Sequence, residues 1–472
     1  MSCVRRRTFS IAAVCFSVST FLAGVQAQER VEDRRAFIWP QAATSDDPRH
    51  IPIRPEVTVK KPVLVLRGGR VFDSVKTDAY AATVVMEGKY IKSILPPQDT
   101  NWPTDAKVVD VTDKTVMPGL IDLHVHITYP DSSTPVDEQA SEGAGVLRGL
   151  TNLRYFIESG FTTVRDMNGV LNAPFLLSEW MAEDRAPGPR VFAAGHIITG
   201  TGGHAADRPI SPIHSSAFAQ EVDGPDEWRK AVRQNFKNGA NVIKIASIFS
   251  PGEVRAAVEE AHALGLRVTC DCETFYIRWA IEAGVDMIEH PLPRTDETIR
   301  LMAQHHTDAD PTLQVYQSLL DSSGGYYGVT SRRFTLGSQQ DFDVFKKMKA
   351  AGIRLGVGTD TIGNANAFTP NTYIAELKWF VKGGYTPSGA LIAATRTNAQ
   401  MLDVGDKLGT LEPGKLADVI VVDGKPDQNL DDLKQVSMVI RDGLVMVDHG
   451  QINVPPHVPK PLLKASPPEN VH

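Results

Sequence analysis

Between residues 119 and 404, short apolar runs of strand type alternate with stretches of helical period. The runs are Gly119–Val125, Thr162–Arg165, Arg190–Ala194, Asn241–Ile245, Arg267–Cys272, Asp286–His290, Pro311–Val315 and Arg354–Thr359. They recur every ~20 to 50 residues, as repeated βα units require. One intervening helix is written out in full: Ser250 as N-cap, Pro251 at the first helical position, Glu253 closing a capping box. Val254, Ala257, Val258 and Ala261 then share one face, and Gly265 ends the turn. Eight such units predict an α/β fold, a (β/α)8 TIM barrel over residues 119–404, in preference to an open sheet.

The flanks have a different pattern. Pro62–Leu66, Thr83–Met86 and Lys107–Val111 are short β-type runs, with turns at Gly68-Gly69 and Glu87-Gly88-Lys89. Similar runs return as Ala417–Val422 and Val436–Val447. The expectation is a small β-sandwich domain formed by both chain ends, 57–118 with 405–453. Residues 28–56 form a polar lead-in segment, and 454–472 a Pro-rich tail.

Residues 1–27 have the features of a signal peptide. Arg5-Arg6-Arg7 precedes an apolar run, Ile11–Gly24, and Val25-Gln26-Ala27 places the cut before Gln28. Arg6-Arg7-Thr8-Phe9 also resembles a twin-arginine signal. The apolar run is short of the ~20 residues that span a bilayer. The mature chain is therefore expected to be periplasmic or secreted, with no stable membrane insertion after cleavage; the competing reading is an uncleaved anchor.

Composition narrows the classes. The chain has 472 residues, 42% hydrophobic and 22% charged, which suits a barrel with a satellite domain and excludes wholesale disorder. A net charge of −7 and no basic stripe exclude nucleic acid as a partner. The mature chain keeps only Cys270 and Cys272. In an extended strand their Cα atoms would be roughly 6.5–7 Å apart, at or beyond the reach of a disulfide. A plain core pair is expected, in a fold held by its core.

The candidate chemistry gathers at strand ends. His124 and His126 close the first run, and a period of two puts both on one face, where two imidazoles can grip one transition metal. Glu289-His290 closes the sixth run and Gly358-Thr359-Asp360 the eighth, where a barrel delivers side chains to its C-terminal rim. Lys244 lies inside the apolar run Asn241–Ala246, costly to bury unless it is paired or chemically changed. The blander alternatives are surface histidines and a lysine reaching back to solvent. His196, His262, His305, His306, His449, His457 and His472 are read as packing or surface residues.

Taken together these motifs resemble the amidohydrolase superfamily, in the branch of imidazolonepropionases and metal-dependent Xaa-Pro dipeptidases. The resemblance is carried by Met117–His126, Gly160–Asp166, Thr201–His204, Ile243–Ile245, Glu282–His290, Gly358–Asp360 and Gly409–Asp418, spanning roughly residues 63–447. It implies that His124, His126 and Asp360 hold one metal ion, and that Lys244, once carboxylated, bridges to a second ion held by His290. It also implies that His204 stands beside the substrate and that Asp360 moves protons. One or two divalent ions are implied, zinc foremost.

One position departs from that pattern. A histidine is expected on the fifth strand, where this chain has Asp271 between the two cysteines. Alternation turns Asp271 inward and both cysteines toward the helices. Three readings stay open: Asp271 as a ligand, which would also admit manganese or another harder ion; a single-ion site; or a decayed site. The implied reaction is hydrolysis of a small-molecule amide or peptide C–N bond by an activated water. The alternatives are a mononuclear deaminase, an ester or lactone hydrolase, or a metal- or ligand-binding module without activity. Specificity is expected in Tyr129–Gly149, His196–His214 and Tyr316–Gln340; a homo-oligomer is left open.

Overall fold

Seven short strands line up in parallel, each followed by chain that returns to start the next. The computed structural model describes residues 49–54, 56, 61–130, 140–206, 216–328, 333–335, 337–361 and 368–453. The expected leader, the tail after residue 453, most of the lead-in and part of each specificity segment lie outside them. The strands are β1 (Leu120–Val125), β2 (Phe161–Asp166), β3 (Arg190–Ala193), β4 (Val242–Ala246), β5 (Arg267–Asp271), β6 (Met287–Glu289) and β7 (Asp308–Asp310). β1 pairs with β2 and β2 with β3, while β4 to β7 pair in order, all in parallel. The short run Ile197–Thr199 pairs with β4 at Ile198 and Ile245. Asn241 donates its backbone N–H to Ala193 O at 2.9 Å, joining the β3 and β4 neighbourhoods.

The seventh and eighth strands depart from expectation. The run Pro311–Val315 is not a strand: Leu313, Val315 and Tyr316 belong to a helix, Leu313–Ser323. The strand is the preceding Asp308-Ala309-Asp310, buried throughout. Its acidic residues read as loop along the chain, and only their neighbours make burial tolerable, as Asp308 does by pairing with Arg354 at 2.7 Å. The eighth element is extended but irregular. Leu355 bridges Ala309, Thr361 bridges Val125, and Leu123 N–H donates to Val357 O at 3.1 Å.

The helix Pro251–Ala263 has the cap expected of it, Ser250 and Glu253 bonding reciprocally, with Val254, Ala257, Val258 and Ala261 buried. Cys270 and Cys272 stand nearer than an extended strand would set them, their Cα atoms 5.4 Å apart and within disulfide reach. The strand stops at Asp271, so Cys272 is already in the turn and the extended spacing does not apply.

Two further sheets stand beside the parallel strands. One has four strands from residues 63–110; the other mixes both chain ends, pairing Thr115–Pro118 with Val419–Val422. Leu66, Val84 and Met86 of the first share an apolar cluster with Val116, Val419 and Ile440 of the second. Arg190 ties this assembly to the parallel strands through Asp418 at 2.8 Å and Asp442 at 2.9 Å. The described part of the lead-in packs across the N-terminal ends of the strands. Asn241 Nδ2 donates to His50 O at 2.7 Å, Arg49 pairs with Asp406 at 2.8 Å, and Ile51 and Ile53 join a core cluster. Among the described residues no helix is long and apolar enough to cross a membrane.

Candidate metal centre

The side chains singled out for chemistry converge at the C-terminal ends of the strands. His124 Nε2 and His126 Nε2 lie 3.5 and 3.0 Å from the same oxygen, Asp360 Oδ1. Lys244 Nζ, from β4, is 3.3 Å from His124 Nε2 and 3.1 Å from Asp271 Oδ2. The other side of Asp271 Oδ2 meets His290 Nε2 at 3.3 Å and His204 Nε2 at 3.5 Å. His290 Nδ1 is 3.9 Å from Asp360 Oδ2, so the group closes on itself. The alternation of β1 brings both histidines to this face, and Asp271 points inward as expected. His204 is half-buried; its backbone N–H donates to Ser247 O at 2.8 Å.

The backbone is held in uncommon conformations here. His290 has φ 66° and Asp360 φ 50°, both in the left-handed region that side chains other than glycine seldom occupy. Each is over-determined by its surroundings: His290 N–H donates to Asp310 O at 2.8 Å and Asp360 N–H to His124 O at 2.7 Å. Such strain costs on the order of 1–3 kcal/mol per residue and gathers at functional sites.

Charge and spacing suit a cation. Burial pushes the Asp360 carboxyl up, but the imidazoles of His124, His290 and His126 outweigh it and hold the group below the usual carboxylate range. Burial and the neighbouring Lys244 push His124 well below its ordinary value. Ligands about 2.0–2.1 Å from a tetrahedral ion stand roughly 3.3 Å apart. The separations of Asp360 Oδ1 from the two imidazoles, 3.0 and 3.5 Å, bracket that value. Two imidazoles and a carboxylate are a donor set for zinc or a similar divalent ion.

Behind these residues stands a ring of partners that strand spacing alone does not reveal. His126 Nδ1 is 3.0 Å from Asn168 O, and His124 Nδ1 is 2.9 Å from Glu289 Oε2. Tyr129 stacks on His126, ring centroids 4.3 Å apart, while Asn168 Nδ2 donates to its hydroxyl at 2.9 Å. Tyr316 meets His290 edge-on at 5.5 Å. Asp310 is fully buried with no hydrogen bond to either oxygen, and burial together with Glu289 pushes it well above the ordinary carboxylate value. Glu289 was legible as the neighbour of His290; Asp310 was hidden in a run that reads as loop. His196 is half-buried, and His262 bonds Asp286 at 3.0 Å.

With parallel strands, a mixed sheet at the chain ends and a histidine–carboxylate cluster at the strand tips, the class of protein is defined. Residues 115–446 match the model of the amidohydrolase family, and the chain belongs to that family. Among individual proteins, it is 28% identical to an ochratoxinase of Aspergillus niger over 361 residues, 68% of this chain and 72% of that one. It is 24% identical to an imidazolonepropionase of Symbiobacterium thermophilum over 385 residues, covering 74% of this chain and 85% of that protein. A crystal structure of a Xaa-Pro dipeptidase with methionine bound in its active site superposes with a TM-score of 0.71 at 28% identity. That match covers 81% of this chain and 99% of the other.

Proposed function

We propose that this chain is an exported, metal-dependent hydrolase of small-molecule amide or peptide C–N bonds, acting at the mouth of a closed (β/α)8 barrel. The irregular segment Leu355–Thr361, bonded to β7 on one side and β1 on the other, supports closure. The two flanking sheets, sharing one apolar cluster, support a β-sandwich built from 57–118 and 405–453. Membership of the amidohydrolase family and a similar structure named for Xaa-Pro dipeptide hydrolysis support the reaction class.

One observation carries the assignment. His124, His126 and Asp360 form one donor group, Asp271 and His290 a second, and Lys244 Nζ lies between them, 3.3 Å from the first and 3.1 Å from the second. A bare ammonium there would repel a cation; a carboxylated lysine would instead offer oxygens to both groups. Divalent ions in such a site bring the pKa of a bound water toward neutrality and polarise a carbonyl. Asp360, with one oxygen 3.5 and 3.0 Å from the two imidazoles and its backbone held in the left-handed region, would take the proton of the attacking water and return it to the leaving nitrogen. His204, half-exposed beside Asp271, faces the substrate carbonyl and assists its polarisation. Zinc fits the imidazole-rich group; Asp271 makes manganese or another harder ion acceptable in the other.

A single-ion version is favoured by the Lys244–Asp271 ion pair, which satisfies both groups with no second ion. Metal analysis of the purified mature protein, with turnover measured on N-acyl amino acids and dipeptides, tests the proposal. Two ions per chain and C–N hydrolysis are expected. One ion with hydrolysis selects the single-ion version; a metal-loaded protein that hydrolyses no amide overturns the function.

A further inference from the structure

Two motifs remain without a role: Arg165 of β2 and Glu289 of β6. Both side chains are buried, on strands separated in the sequence by more than a hundred residues, yet they meet directly under His124. Arg165 Nη2 donates to Glu289 Oε1 at 2.8 Å, Thr269 Oγ1 donates to the same oxygen, and Glu289 Oε2 receives His124 Nδ1 at 2.9 Å. Arg165 is itself fixed, its Nε donating to Leu123 O. Four strands thus contribute to holding one carboxylate against one imidazole.

We propose that Glu289, clamped by Arg165 and Thr269, is a positioning residue that fixes the orientation and tautomer of His124 for metal binding. The inference rests on the reading of His124 as a ligand. An imidazole whose Nδ1 carries the hydrogen has its lone pair on Nε2, the atom that faces Asp360 and Lys244. A carboxylate acceptor at Nδ1 also makes that lone pair a stronger donor than a neutral acceptor would. His126 has only a backbone carbonyl at the same place. The two histidines of one motif are thereby unequal, His124 being the stronger donor. Arg165 makes the arrangement possible, because a buried carboxylate requires a counter-charge and Thr269 alone supplies none.

The test uses the full mature chain with zinc, and with cobalt as a spectroscopic probe. Glu289→Gln keeps the shape and removes the charge. It should bind zinc about tenfold to a hundredfold more weakly in competition with a chromophoric chelator. The visible bands of the cobalt-loaded protein should shift, and the metal-free protein should melt lower than the parent because Arg165 loses its buried partner. A merely structural Glu289 would lower the melting temperature and leave the cobalt bands of the folded fraction unmoved, and that result overturns the proposal. Should Glu289→Gln fail to fold, Thr269→Val decides: it leaves the ion pair intact but removes one hydrogen bond to Glu289, and should weaken zinc binding to a smaller degree. Unchanged affinity in that variant overturns the proposal. A parent that takes up no divalent ion sinks the proposed function and this inference together. A parent that binds zinc no better than Glu289→Gln sinks this inference alone.

Discussion

At Asp360 the chain accepts left-handed backbone so that one carboxylate oxygen can reach two imidazoles. Asp360→Asn keeps the shape and removes the charge and, in the proposed mechanism, the proton acceptor. Turnover should fall by at least about a thousandfold, roughly 4 kcal/mol of transition-state stabilisation. His124→Ala should do the same by weakening the proposed first ion. Circular dichroism of both variants should stay that of the parent, and activity within tenfold of the parent in either would refute the assignment. Asp271 is the more exposed prediction. Its carboxylate adds negative charge where a histidine is expected, which raises attraction for a divalent ion but leaves that ion a weaker Lewis acid. Asp271→Ala should lose one bound ion, and Asp271→His should keep it with a preference for zinc. An unchanged ion count in Asp271→Ala would show that Asp271 is no ligand.

Among the elements, the close approach of the eighth segment to its neighbours sets the site. A Cβ on Gly358 would come within 2.2 Å of Asp310 Oδ2 and 2.8 Å of His124 Cβ. Gly358→Ala should therefore cost about 1–3 kcal/mol of stability and weaken metal uptake, because relief requires moving His124 or Asp310. A thermal melt and a zinc titration check it, and a variant equal to the parent in both would show that the segment has slack. The helix Pro251–Ala263 offers a simpler case. Ser250→Ala removes one half of the capping box and should cost about 1 kcal/mol, read as a lower denaturant midpoint at unchanged slope.

For the molecule as a whole, the proposed ions link function to stability. Zinc at a hundred times its dissociation constant should stabilise the folded chain by about 2.7 kcal/mol. The melting temperature should rise accordingly and fall again on chelation; a melt indifferent to both would argue against a metal held by the native state. Export is the second expectation at this scale. The mature protein should begin at or near Gln28 and be recovered outside the cytoplasm, and N-terminal sequencing that finds Met1 on the exported form would contradict it.

Alternation, period and turn residues were enough to locate β1, β2 and the capped helix, because each depends on neighbours a few residues away. The motif histidines, Lys244 and Asp360 were legible for the same reason: each closes or interrupts an apolar run. Other features depended on distant contacts. Asp308–Asp310 is a strand only because the flanking strands pair with it and Arg354 compensates the buried Asp308. Cys270 and Cys272 come within disulfide reach only because β5 ends between them. The clamp of Arg165, Thr269 and Glu289 on His124 brings together residues up to 165 positions apart. No local pattern records such a contact, since burying a charge becomes tolerable only when folding supplies its partner.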